Sequence, residues 1–120
     1  MHGAADALVS FDNAVTKRDA VIAAFELAAG EVVASGDGYS RTRHGNARGT
    51  EFELFEHDYR SASAVGVPPL GVAIEGHCYP GSTDLTLTEP GQLMAFGCEP
   101  PTAFTWGESV IEFFIAHPRR

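Results

Sequence analysis

Two short loops of this sequence carry the groups best suited to moving a proton. The apolar run Gly71-Val72-Ala73-Ile74-Glu75 reads as a buried strand, and Gly76-His77-Cys78-Tyr79-Pro80-Gly81 turns the chain away from it. That places His77 at a strand's C-terminal tip, where open sheets keep their chemistry. The loop His2-Gly3-Ala4-Ala5-Asp6 offers a carboxylate. An aspartate beside a histidine orients the imidazole and stabilises its charged form while it acts as general base, so His77 and Asp6 are the candidate catalytic residues. Against this stands the plainer reading, in which a single histidine after a strand is an ordinary hydrogen-bonded loop residue.

A metal is the second chemistry open to the same groups. His77, His57, Asp58, Asp6 and His2 supply nitrogen and oxygen donors of the kind that hold a catalytic zinc or manganese with one position left for water. If strand 51–57 runs parallel to the strand leading into Asp6, these groups meet at one edge of the sheet. Read separately, His57 is an exposed strand end and His44 a hairpin residue. Cys78 and Cys98, twenty positions apart, read as a disulfide or as two buried thiols rather than as ligands. None of Ser10, Ser35, Ser40, Ser61, Ser63, Ser82 or Ser109 sits in a G-x-S-x-G elbow, so no serine nucleophile is offered. A phosphate-cradling loop, a dinucleotide fingerprint, H-E-x-x-H and C-x-x-C are all missing from the sequence, and no organic cofactor is expected.

The elements that must position these groups follow from periodicity. Asp12 or Asn13 caps a helix running to about Ala29, with Val15, Val21, Ile22, Phe25 and Leu27 on its apolar side and Gly30 as its stop. From Glu31 the period changes to two: a short strand at 31–35, a turn at Gly36-Asp37-Gly38, a strand from Tyr39 to His44, a turn at 45–49, and a strand from Thr50 to His57. Residues 60–69 form a loop, Leu70 to Glu75 the strand that delivers His77, and 82–101 an irregular stretch. Thr105 with Glu108 makes a capping box for a last helix ending before Pro118, with Val110, Ile111, Phe113, Phe114 and Ile115 spread around it, a pattern that predicts cover on more than one side. Helix, strands, helix is an α/β arrangement with helices flanking a sheet.

The chain has 120 residues and a formal charge of -8, which fits a single domain spanning 1–120. An acidic chain with scattered basic residues disfavours nucleic acid and anionic membranes as partners. No apolar run approaches bilayer length and no signal peptide opens the sequence, so the expectation is a cytoplasmic protein.

Taken together, these segments resemble one family. His2-Gly3-Ala4-Ala5-Asp6, with Val9, Phe11 and Asn13, is similar to the H-G-x-A-D-x-x-V segment of α/β-hydrolase esterases of the polyhydroxybutyrate depolymerase and feruloyl esterase group. Gly76-His77-Cys78-Tyr79-Pro80-Gly81-Ser82 resembles the family's G-H-x-x-P-G segment, and Val110 to Pro118 its closing helix. The resemblance implies that Asp6 is the acid and His77 the base of a catalytic triad, in the C-terminal part of an α/β-hydrolase fold from a family often secreted. Because the nucleophile elbow precedes these segments in the family, the resemblance implies a truncated sheet with an unpaired edge and bare apolar helix faces, and such surfaces predict a homodimer or an exchanged arrangement that rebuilds the missing layer. The function expected is hydrolysis of a small ester or phosphoester by water activated at His77 and Asp6, with metal assistance. The alternative is a silent esterase fragment that persists as a folded or self-assembling module.

Overall fold

The structure, a computed structural model, describes residues 1–6, 9–60, 76–82 and 97–118. Its elements are β1 (His2–Gly3), α1 (Phe11–Phe25), β2 (Glu31–Gly36), β3 (Tyr39–Gly45), β4 (Glu51–His57) and α2 (Trp106–Ala116). The four strands form one mixed sheet in the order β1-β4-β3-β2. β2, β3 and β4 are an antiparallel meander, and β1 joins β4 in parallel with Gly3 opposite His57. The predicted strand 70–75 lies outside the described residues.

Alternation along β4 divides the sheet into two faces. Phe55 opposite Arg41 and Glu53 opposite Arg43 share one face. There Glu53, with a side chain 4 % exposed, takes Arg41 at 2.6 Å and Arg43 at 2.8 Å. Two guanidiniums around one buried carboxylate replace the water it has lost. The Arg41 guanidinium also lies 5.0 Å from the centre of the Phe55 ring. α2 covers this face, with the Trp106 ring edge-on to Phe55 at 5.4 Å. On the other face Leu54 and His44 are buried, and the segment after α1 closes over them. Its Leu27 is buried, and Ala28 donates its N–H to Gly45 and accepts from His44 Nδ1.

α1 begins two residues earlier and ends sooner than its sequence predicts. Ser10, not Asp12 or Asn13, is the N-cap, its hydroxyl accepting the Asp12 N–H at 3.3 Å. The helix stops at Phe25 because distant residues capture its last carbonyl: Asn46 Nδ2 at 2.8 Å and Arg48 Nη2 at 3.3 Å both donate to Phe25 O. Glu26 then takes the left-handed conformation, φ 53°, that was expected of Gly30. Nor does Thr105 form a capping box. Its side chain makes no cap hydrogen bond, and the Trp106 N–H is satisfied by the Pro80 carbonyl at 2.9 Å, which ties the start of α2 to the turn after His77.

Cover on α2 is one-sided among the described residues. Ile111, Phe114 and Ile115 are 60 %, 66 % and 74 % exposed, so the expectation of cover on more than one side fails there. Phe25 at the end of α1 is 51 % exposed as well. Among the described residues β2 stands at one end of the sheet, with a register shift between Val32 and Ala34 that breaks the regularity of its edge.

Candidate active site

The parallel pairing of β1 with β4 aims the N-terminal loop at the site. Beyond Gly3 the Ala4 N–H donates to His57 O at 2.6 Å, and the chain then turns through a 3.2 Å bond from Asp6 N to Gly3 O. Asp6 thus stands just past the C-terminal end of β4. Its Oδ1 accepts the Val9 N–H at 2.9 Å, which fixes the carboxylate plane and turns Oδ2 to the other side.

His77 meets that oxygen. Its Nδ1 lies 2.7 Å from Asp6 Oδ2, across 71 positions of sequence. The Asp6 side chain is 5 % exposed and the His77 side chain 31 %, so the carboxylate is shielded while the ring reaches solvent. A short charge-assisted contact of this kind holds the ring in one orientation with Nδ1–H donating.

The glycine beside each group makes the approach possible. A Cβ on Gly3 would run into the carbonyl of Gly76, and a Cβ on Gly76 would lie 2.6 Å from Ala5 C and Asp6 N. Gly76 also has φ 78°, which side chains rarely adopt. The two loops therefore touch main chain to main chain. The turn beyond is held by the Cys78–Cys98 disulfide and by the Cys98 N–H to Tyr79 O bond of 3.3 Å.

Asp6 and His77 open on a hollow of about 150 Å³ whose wall also includes His2, His57, Val9 and Cys78. His57 is 1 % exposed, stacks on Tyr59 at 5.5 Å, and has no hydrogen-bond partner at either ring nitrogen among the described residues. Burial pulls its pKa below the ordinary imidazole value, so it is neutral. It is not the exposed strand end that its position predicts. A larger hollow, about 340 Å³, lies between α2 and β4, but its carboxylates are Glu51 and Glu53 and both pair with Arg43. The paired carboxylate and imidazole of Asp6 and His77 line the smaller one.

Of the five predicted metal ligands, the structure gathers Asp6, His77, His57 and His2 around one hollow and leaves Asp58 apart. Asp58 is exposed and lines a separate hollow with Gly38 and Tyr39. Among the described residues, the set of three ligating side chains whose donor atoms lie within 4.8 Å of one another is His57, Cys78 and Cys98. The cysteines of that set are oxidised to the disulfide, the first of the two states their spacing left open. No spacing in the sequence links position 57 to 78 and 98, so the proximity of His57 to the two cysteines carries no sequence signal.

No family model matches this chain, and no curated protein and no solved structure matches it.

Proposed function

We propose that the chain is an ester or phosphoester hydrolase in which His77 is the general base and Asp6 the residue that positions it. The observation that carries this reading is the 2.7 Å approach of Asp6 Oδ2 to His77 Nδ1, with the carboxylate shielded and the ring reaching solvent. With Nδ1–H given to Asp6, the ring's basic nitrogen is Nε2, on the side away from the carboxylate. For a carboxylic ester the balance is simple. Water attacks the carbonyl carbon, Nε2 takes its proton, and the imidazolium returns that proton to the departing alkoxide, giving acid and alcohol. Asp6 lowers the cost of the intermediate imidazolium. A hollow of about 150 Å³ is small beside the roughly 300–1,000 Å³ of sites for drug-sized ligands, which favours a short acyl group.

The resemblance of the Asp6 and His77 loops to those of polyhydroxybutyrate depolymerase and feruloyl esterase enzymes supports the ester over the phosphoester, and the α/β-hydrolase fold as the parent of this sheet. The disulfide supports an oxidising compartment, as for a secreted protein, over a cytosolic one. Assistance by zinc or manganese is the weaker version, since no three of His77, Asp6, His57, Asp58 and His2 converge within 4.8 Å among the described residues. A panel of short-chain aryl esters and phosphoesters, run with and without a chelator, tests the reading. Turnover above buffer that survives chelation and is lost in His77→Ala supports it; turnover unchanged in His77→Ala sinks it.

A second reading has its own observation. The exposed Phe25, Ile111, Phe114 and Ile115 support a silent module that self-assembles, in particular a homodimer. A folded protein without turnover on any substrate, and with a dimer's mass by light scattering, favours this reading.

A further inference from the structure

His57 is an anomaly that the hydrolase reading does not use. Its two ring nitrogens are buried without a hydrogen-bond partner among the described residues, and folded proteins pair the large majority of such buried polar atoms. Its nearest chemistry-bearing neighbours are two sulfurs: a ring nitrogen and the Sγ atoms of Cys78 and Cys98 lie within 4.8 Å of one another, and all three residues are buried.

We propose that reduction of the Cys78–Cys98 disulfide turns this cluster into a site for a soft divalent cation, zinc by preference, held by His57, Cys78 and Cys98 with water as the fourth ligand. One nitrogen and two thiolates are a donor set that selects zinc over the hard cations magnesium and calcium. Tetrahedral zinc with bonds of about 2.0–2.3 Å sets its donors roughly 3.3–3.8 Å apart. Reaching that arrangement needs the sulfurs, bonded to each other in the disulfide, to part to that spacing with the ring nitrogen beside them. The hollow lined by both His57 and Cys78 gives the cation and its water an entry.

A phosphine gives two electrons to the disulfide and takes the oxygen of one water to become its oxide, the two protons of that water complete the thiols, and the cation displaces those protons when it binds. Main-chain bonds join the same segments beside the disulfide. Cys98 N–H to Tyr79 O and the Tyr79–Gly97 bridge bring the two cysteine segments together through the main chain, and Ala4 N–H to His57 O fixes the strand end that carries the ring. Under reducing conditions the metal replaces the covalent tie next to His77. Under oxidising conditions the disulfide supplies it.

Cobalt(II) is the probe, because thiolate-to-cobalt charge-transfer and tetrahedral ligand-field bands report its ligands without any reference to turnover. The whole chain, reduced with a phosphine and kept folded as judged by circular dichroism, is expected to bind one equivalent of cobalt with both bands and to release it to zinc. The oxidised protein is expected to show neither band. His57→Ala should weaken binding by more than the roughly 10–100-fold lost with an outer partner of a metal ligand, and Cys98→Ser should diminish the charge-transfer band. Reduced protein without the bands overturns the proposal. So does undiminished affinity in His57→Ala, or an equal titration of the reduced protein in urea, which would show thiols binding metal without the fold.

Discussion

Gly3 and Gly76 press together main chain to main chain, so closely that a Cβ on Gly3 would collide with the Gly76 carbonyl. This contact brings the Asp6 loop against the His77 loop. Gly76→Ala meets two penalties, the left-handed φ of 78° and a Cβ at 2.6 Å from Asp6 N. Gly49 isolates the first, since its φ is 79° with nothing within 4 Å of a Cβ. Gly49→Ala is expected to cost about 1 kcal/mol in urea unfolding, near the low end for a residue held in a sparsely populated conformation. Gly76→Ala should cost clearly more and should also separate Asp6 from His77. Equal losses in the two variants would mean that the loops are not in contact.

The Cys78–Cys98 disulfide closes a loop with a sequence separation of 20 directly beside His77. Loop-closure entropy assigns such a tie about 3 kcal/mol. Replacing both cysteines with serine should lower the unfolding free energy by about that amount, read from urea titrations of the oxidised wild type and the variant. A loss below about 1 kcal/mol would show that the main-chain pairing of Tyr79 with Gly97 holds the segment by itself.

Two histidines shape the dependence of stability on pH from opposite sides. Burial lowers the folded pKa of His57, so the unfolded chain binds the extra proton and stability is lost as pH falls below the free imidazole value of about 6.5. That loss can approach about 1.4 kcal/mol per pH unit for one proton. His117 is raised, first by donating to the Phe113 carbonyl and also by Glu51 at 3.1 Å. Its contribution is complete below about 6.5 and disappears as pH rises through the folded pKa. His57→Gln should therefore flatten the acid limb of a stability profile and His117→Gln the alkaline limb. Identical limbs in wild type and variants would contradict both assignments.

Strand positions were legible in the sequence because their signals are local. Gly36-Asp37-Gly38 and the turn at Asn46 to Gly49 bound alternating runs, and β2, β3 and β4 fall within a residue or two of where those runs predict them. Helix ends were not, because distant partners decide them. Phe25 O is captured by Asn46 and Arg48 from another turn, and the Trp106 N–H by Pro80. The site divides in the same way. Asp6 and His77 could be singled out by residue type and by the resemblance of their loops, whereas no periodicity relates positions 6 and 77. The burial of His57 against the disulfide depends on where three segments cross, which one-dimensional spacing does not carry.

The most direct test of the central claim, that Asp6 and His77 work as one proton-handling unit, is a double-mutant cycle on ester hydrolysis with wild type, Asp6→Asn, His77→Ala and the double variant, each confirmed folded. Groups acting as a unit are non-additive. The prediction is that each single variant loses on the order of 100- to 10,000-fold in kcat, the usual range for general acid-base help, and that the double variant is no slower than the worse single one. Wild-type turnover in either single variant, or losses that multiply in the double, would contradict it.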